Sequence, residues 1–514
     1  MDYSTFQRIA ATQEWLTLLP EITLCGIALF LLLLDVMLPT RLNRWVPRIG
    51  IVLNLAVLTF VCCGTGTCPT EIEPKSVFNG MIVITPLSQW FRVFFLLSNI
   101  GILWLAGNYL RDRKLVRTEF YALSSIVTAA MMLLVHSNHF VILFVSLETI
   151  AVGLYVMVAY DRNSPLSLEA GIKYLVVGGT NTAILLLGIA LLYGIGGNPM
   201  LVGSSADPLA FGNLQSFLAE NAAHPVARMG ALAVLASVAF KIGLVPFQIW
   251  IPDVYQGAPT PTTAFLSVSS KAAGVAVLLI LFSPTGAFAP LAAFVSPILL
   301  LVTAVTLIYG NVVALGYTNL KRLLGMSGVA HAGFLMMGIL VMLNTDSVSW
   351  VSGSILFYLF AYLLASLVVF GVMSILSIPE DADQDVYDYT QLGEQRPVLA
   401  ALLTIGIGSL AGIPPLVGFM AKFSLFVAAF QSGLLVLLGI GAVSVAVSIY
   451  YYFKWIREIY VREQVVQLDD EEKPEPKVFA SASMTNLLFL GLVSIAILVF
   501  GLFPMDLLSN WSLF

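Results

Sequence analysis

Stretches of about 20 apolar residues alternate with short polar segments along the whole chain, the spacing of helices that cross a ~30 Å hydrocarbon layer. The pattern predicts about fourteen spans. They fall at 18–38, 48–64, 82–108, 119–136, 139–160, 168–194, 229–250, 262–283, 290–312, 321–343, 350–377, 398–430, 432–456 and 484–505. The twelfth is longer than a straight crossing needs, so a break or kink is expected in it. The polar segments leave no room for a separate soluble domain. The expected fold is an all-α polytopic membrane protein.

Composition agrees. Of 514 residues, 59% are hydrophobic and only 10% charged, where soluble proteins carry about 25% charged residues. The net charge of -5 is spread over loops, and no basic patch suggests a nucleic-acid partner. The first apolar run, Ile22 to Leu38, has no basic segment before it and no small-residue cleavage site, so it reads as a retained span. Cys25, Cys62, Cys63 and Cys68 lack the spacing of a zinc or iron–sulfur site. Cys68 lies near Cys62 and Cys63 at a span end, where either a disulfide or idle thiols could stand.

Loop charges test the span count. Arg41, Arg44, Arg48, Arg111, Arg113, Lys114, Arg117, Arg162, Lys321, Arg322, Arg396, Arg457, Arg462, Lys473 and Lys477 follow odd-numbered spans. Loops after even-numbered spans carry chiefly Lys75 and Arg228. The positive-inside rule makes the first set cytoplasmic and puts both termini outside. Trp45, Trp250, Trp350 and Trp455 fall near predicted span ends, where indoles favour the interface. The acidic segment Pro379 to Pro397 reads as a solvated loop, with a docking segment as the alternative. The charged tail Gln467 to Lys477 reads as mobile, and His136 and His139 as solvated in a short outer loop.

Charges inside the spans carry the candidate chemistry, because an ionisable group in hydrocarbon is costly and a functional hypothesis by default. These are Glu148, Lys173, Lys241, Lys271, His331 and Lys422. At about 1.5 Å per residue, Glu148, Lys241, Lys271 and His331 sit roughly 14–18 Å from a membrane surface. Lys173 is about 8 Å from the cytoplasmic end, and Lys422 about 12 Å from the outer end. Similar depth on different helices suggests a relay in the membrane plane rather than a pore. Desolvation favours a neutral amine and a nearby carboxylate favours the ammonium, so a Glu148–Lys241 pair that opens and closes could load and release a proton. Lys271 and His331 could pass it on through water. The bland alternatives are a static ion pair for Glu148 and Lys241, snorkelling for Lys173 and a packed core histidine for His331. Asp35 and Arg92 suggest no role beyond anchoring or subunit contact.

Two segments are built to interrupt helices. Pro246 follows Lys241 by about one turn, and Gly412-Ile413-Pro414-Pro415 precedes Lys422 by about two. Proline in a span frees backbone carbonyls that persist only against protein or a wet cavity. Two such breaks with lysines, in separate halves of the chain, point to inverted repeats. The expected organisation is residues 1–118 as helices 1–3, 119–283 and 290–460 as inverted five-helix repeats with helices 7 and 12 broken, and 461–514 as a charged loop and helix 14.

The run Trp250-Ile251-Pro252-Asp253-Val254-Tyr255-Gln256-Gly257-Ala258-Pro259-Thr260-Pro261 resembles the antiporter-like membrane subunits of respiratory complex I, as do Gly412 to Pro415 with Lys422 and the Glu148 span. Lysine at 422 and an end soon after span fourteen are most similar to the subunit N (subunit 2) branch. Ala264 to Val268 with Lys271 is also similar to the plastoquinone-reducing photosynthetic relatives of thylakoids. The resemblance implies a proton-translocating subunit of an NADH–quinone oxidoreductase. Glu148 and Lys241 would gate, Lys271 and His331 would relay, and Lys422 would connect to a neighbouring subunit or the exit; Lys173 is kept in the candidate set. Family members often carry histidine where this chain has Gln248, a side chain without a titratable proton.

The resemblance further implies that this chain holds no cofactor or redox centre. NADH, FMN, iron–sulfur clusters and quinone would belong to partner subunits. Those partners would be other complex I membrane subunits, antiporter-like and small, in a lipid bilayer. A bacterial plasma membrane is expected, since no organelle-targeting peptide is visible, although an organelle-encoded protein would also lack one. The competing readings are a subunit of a multisubunit monovalent cation/proton antiporter and a non-pumping scaffold of a membrane arm.

Overall fold

The computed structural model describes residues 14–37, 45–63, 74–113, 115, 117–344, 348–376, 381–461 and 482–503. The expected tail Gln467 to Lys477, Cys68, and the loop cations Arg41, Arg44, Lys114 and Arg462 lie outside them. The helices in order are α1 (Leu19–Met37), α2 (Val46–Cys63), α3 (Pro86–Asp112), α4 (Thr118–Leu134), α5 (Phe140–Val158) and α6 (Pro165–Gly196). Next come α7 (Pro225–Ile242), α8 (Thr260–Leu281), α9 (Ala292–Leu315), α10 (Leu320–Asn344) and α11 (Val348–Ile375). The last are α12 (Pro397–Ala411), α13 (Val417–Gln431), α14 (Leu435–Tyr460) and α15 (Met484–Leu502). Among the described residues, twelve helices are long and apolar enough to cross a membrane. The three shorter ones are α4 and the two halves of the twelfth span, α12 and α13. Together they account for the fourteen spans expected.

Local sequence explains where the helices start. Thr85 and Ser88 form a reciprocal capping box, with Pro86 at the first helical position. Ser164 before Pro165 and His224 before Pro225 cap α6 and α7, each accepting one backbone amide, from Ser167 and Val226. The helices then sort by environment. In the most apolar stretches of α8, α10 and α11, 94% of residues are buried, against 33% for α1, α2, α6, α9, α14 and α15. The first group is enclosed by protein on all sides. The outer helices leave apolar side chains such as Leu33, Leu187, Ile308, Val443 and Leu492 exposed, as a surface solvated by lipid requires.

Both expected breaks are present. Helix α7 stops at Ile242, and an irregular segment leads into the short helix Ile251–Gly257. The twelfth span stops at Ala411 and resumes at Val417. Each stop is a left-handed glycine, Gly243 at φ 84° and Gly412 at φ 85°. Each has the same bonding. The amides of Gly243 and Leu244 both donate to Ala239 O (2.9 Å each), and those of Gly412 and Ile413 both donate to Gly408 O (3.0 Å each). Helix α8 contains one π turn, Leu266–Ser270, immediately before Lys271.

Several expectations are corrected. Residues 82–84 do not begin the third span; Lys75–Val77 and Ile82–Ile84 pair as an antiparallel hairpin, Val77 opposite Ile82, and the span starts at Pro86. The loop after α6 contains a further short helix, Phe211–Asn221. Trp250 and Trp455 are buried rather than interfacial. Trp250 stacks on Tyr174 (4.7 Å between ring centres) and packs against Phe240 (5.4 Å), because the break after α7 folds its indole back among the helices. Cys62 and Cys63 carry free thiols, which agrees with the idle-thiol alternative and is no correction.

Replacing Gly412 by alanine forces an L side chain into the left-handed region and sets its Cβ 3.1 Å from Lys422 Cδ. The expected cost is about 1–2 kcal/mol, read as a lower thermal midpoint of the purified protein in detergent. An unchanged midpoint would mean that the break does not depend on this turn.

Candidate functional site

The breaks supply what a buried lysine needs. A helix C-terminus carries partial negative charge and unpaired carbonyls. Lys422 reaches back from α13 and donates to Leu410 O (2.9 Å) and Ala411 O (3.0 Å), the last carbonyls of α12. Its ammonium also lies 5.3 Å from the centre of the Phe334 ring. Lys241 occupies the last turn of α7, so it meets its own helix's C-terminal field. The backbone freed beyond each break finds side-chain partners. Val245 N donates to Thr306 Oγ1 (3.1 Å) and Gly418 N to Ser409 Oγ (3.2 Å).

The enclosed helices carry the centre. Lys271 on α8 points over Gly328 of α10. A Cβ built there would overlap the Lys271 ammonium and lie 3.1 Å from Tyr362 Oη, so only glycine leaves this notch open. Lys271 Nζ makes no hydrogen bond to protein and lies 5.8 Å from the centre of the Tyr255 ring. Tyr362 Oη is 2.6 Å from Ser267 Oγ, within the π turn. One turn beyond Gly328, His331 Nδ1 is 2.7 Å from Tyr358 Oη, and its ring packs 4.8 Å from that of Tyr362. A cavity of about 10 Å³, enough for one water centre, is lined by His331, Tyr358, Tyr362, Ser409 and Lys422 among others. Histidine and lysine thus face one void from different helices.

On the other side, Gly274 of α8, one turn beyond Lys271, packs against Ile242, the neighbour of Lys241, with only 2.6 Å between a built Cβ and Ile242 Cγ1. Asn181 Nδ2 donates to Ser237 Oγ (2.9 Å), which joins α6 to α7. Thr182, the next residue of α6, donates to Glu148 Oε1 (2.8 Å). Glu148 is partly exposed, and no ion pair within 4.0 Å joins it to Lys241. Lys241, Lys271, His331 and Lys422 are 5%, 2%, 6% and 4% exposed. Lys173 stands apart, with its side chain 45% exposed and paired to Glu169 and Asp253 at 2.7 Å each. It belongs to a surface network with Arg322 and Gln256. Gln248 is buried, with Oε1 unpaired.

Two buried charge clusters escaped the sequence reading. Lys321, expected in a loop, is fully buried at the start of α10 and pairs with Asp381 at 2.5 Å. The acidic segment is therefore not simply solvated: Asp381 also accepts from Tyr109 Oη, Thr260 N and Oγ1, and Gln384 Nε2. Arg92 forms a two-pronged pair with Glu21 (2.8 and 2.9 Å) and bonds to Thr17 O. His136 lies 3.5 Å from Glu21 and is buried, not solvated, because its backbone carbonyl docks on Val83 of the hairpin. His139 is also buried; it caps α5 and pairs with Asp207. Burial and the Arg92 guanidinium push the His136 imidazole down to about 4, against the pull of Glu21.

A family model described as NADH:quinone oxidoreductase/Mrp antiporter, TM, matches residues 137–448. The chain is 48% identical to an NADH-quinone oxidoreductase subunit N 1 of Opitutus terrae, over 90% of each chain. It is 34% identical to an NAD(P)H-quinone oxidoreductase subunit 2 of Nostoc sp., over 92% of this chain and 87% of that one. Its structure is similar to a chain of respiratory complex I from Thermus thermophilus, with TM-score 0.76, 28% identity, and coverage of 96% and 99%. A chain of the Mrp complex from Dietzia sp. shares the fold at TM-score 0.76 and 17% identity, over 97% and 96%.

Arg92→Met leaves Glu21 buried beside a histidine that resists protonation, at an expected cost of about 3–5 kcal/mol. A double replacement of Glu21 and Arg92 by apolar residues is expected to cost less, and comparing thermal midpoints checks the order. For His136 the folded state holds the proton less tightly than the unfolded chain. Stability is therefore full above pH 6.5 and falls as pH drops towards about 4, by on the order of 3 kcal/mol. His136→Gln is expected to flatten that slope; an equal slope in both proteins would locate the acid sensitivity elsewhere.

Proposed function

The chain belongs to the NADH:quinone oxidoreductase/Mrp antiporter transmembrane family, and from that membership we propose that it is a proton-translocating membrane-arm subunit of an NADH–quinone oxidoreductase. The observation that carries this reading is the row of buried ionisable side chains across packed helices: Lys241 on α7, Lys271 on α8, His331 on α10 and Lys422 on α13. The Gly328 notch, the Ser267–Tyr362 contact and the cavity between His331 and Lys422 lie between successive members. Hydroxyls and imidazole both donate and accept, so they suit proton hand-off.

Lys241 receives the proton at its helix terminus, and Lys271 takes it towards the Gly328 notch. His331 and the water-sized cavity lead it to Lys422 beneath the second break. Glu148, held by Thr182 at the edge of the chain, is the negative partner whose approach to Lys241 favours the ammonium. Lys173, tied to two surface carboxylates, is better suited to the cytoplasmic face of the first repeat than to the relay. The units 119–283 and 290–460 serve as inverted halves, each with one broken helix ending at the same glycine turn. Electron transfer, with NADH, FMN, iron–sulfur clusters and quinone, resides in partner subunits. The chain sits in a bacterial plasma membrane, with its arginine-rich loops in the cytoplasm and both termini outside.

The cation/proton antiporter reading is less well supported by the side chains. An ammonium has three donors and no acceptor, whereas sodium or potassium requires oxygen ligands. A row built mainly of lysines suits protons.

Lys241→Met in the assembled complex is expected to lower proton uptake into sealed vesicles about tenfold or more, with or without slower quinone reduction. Unchanged uptake per quinone reduced would make the lysine structural and overturn the relay.

A further inference from the structure

The helix that carries Lys271 begins without a cap of its own. Ala258 and Pro259 precede it, and neither side chain can accept a hydrogen bond. The cap comes from a carboxylate 121 residues away: Asp381 accepts from Thr260 N (3.1 Å) and Thr260 Oγ1 (2.6 Å). Asp381 is in turn held by Lys321 (2.5 Å), Tyr109 (2.6 Å) and Gln384 (2.8 Å). Lys321 also donates to Ala258 O (2.8 Å), so the pair grips both sides of the turn that launches α8. Burial opposes a charge on Asp381, but Lys321 and Arg113 outweigh it and hold the carboxyl below the usual carboxylate range.

Lys321 stands at the start of α10, and Thr260 at the start of α8. The ion pair therefore ties these two helices together at one end. Further along the same helices, Lys271 of α8 and Gly328 of α10 meet in the tight notch. Two rods joined at one end and in contact at mid-length have a set register. A methyl group on Gly328 would displace the Lys271 ammonium, the far end of a flexible side chain, so the alignment of α8 with α10 decides how closely that ammonium can lie against α10. We infer that Asp381 and Lys321 are positioning residues for the relay, acting at a distance on Lys271 by fixing the register of α8 against α10. This inference rests on the relay reading above.

The test uses the whole complex in sealed vesicles. It measures the amount assembled, quinone reduction, and proton uptake per quinone reduced across a pH series. The charged and titratable groups facing the pair are Arg113, Tyr109, Asp383 and Tyr389, and those facing Lys271 are Tyr255, Tyr362 and His331. All are left unaltered. Asp381→Asn and Lys321→Met are expected to shift the pH profile of uptake per quinone by roughly half a unit or more. Lys321→Arg, which keeps the charge, is expected to restore the parental profile. Where Asp381→Asn fails to assemble, Thr260→Val removes one hydrogen bond to the carboxylate and is expected to give a smaller shift in the same direction. Variants that lower only the amount of complex, with the parental profile per assembled complex, would overturn the inference. Lys271→Met separates the two readings. If it leaves uptake intact, the relay itself fails; if it abolishes uptake while the positioning variants keep the parental profile, only the positioning role fails.

Discussion

Hydrocarbon offers no hydrogen bonds, so a freed peptide group within the membrane must find its partner in the protein or in a wet cavity. That constraint shapes this chain. Within an unbroken helix the carbonyls that Lys422 uses would already be bonded along the helix. Interrupting the span at Gly412 leaves the carbonyls of Leu410 and Ala411 free for the ammonium. The lysine and the break satisfy each other. Thr306 and Ser409 then each accept one backbone amide from beyond a break.

The same constraint separates the helices by role. The outer helices keep apolar faces for lipid, whereas α8 and α10, which bear Lys271 and His331, are enclosed on all sides. Enclosure lets these two helices carry polar groups around their whole circumference. Ser267, Ser269 and Ser270 line one turn of α8, and Ser269 bonds to Ser98 of α3 at 2.6 Å. On a lipid-facing helix such a turn would expose hydroxyls to hydrocarbon. Burial within the bundle thus permits the chemistry as well as protecting it.

Hydropathy made the spans legible, since length and apolarity are properties of a contiguous segment. The breaks were legible from Pro246, Pro414 and Pro415, and the buried candidates from charges at mid-span. What stayed hidden depends on distant pairs. Asp381 sits in a run of acids that looks like any solvated loop, and its partners Tyr109, Thr260 and Lys321 are 272, 121 and 60 residues away. Lys321 lies one residue inside its helix, where a snorkelling cation and a buried one look alike in sequence. His136 and Trp250 failed for a related reason: proximity to a span end predicts exposure only when nothing folds over that end. Here the hairpin covers His136, and the segment after the first break packs Trp250 inward. Lys173 shows the converse, a lysine within an apolar span that finds two carboxylates at the surface.

The two breaks are alike in backbone and unlike in how they use it. Gly243 and Gly412 end their helices with the same hydrogen bonds, yet Lys241 precedes its break, whereas Lys422 follows its own and reaches back. An ammonium in the last turn of its own helix shares that helix's motion, so the field it feels is nearly constant. An ammonium delivered from the next helix is held by two carbonyls that belong to a different rod, and movement between the rods changes its surroundings directly. The second break therefore joins two helices through one ammonium, whereas the first keeps its ammonium on the helix that it ends. One backbone device thus serves two lysines differently, one held across its break and one on the near side of its own.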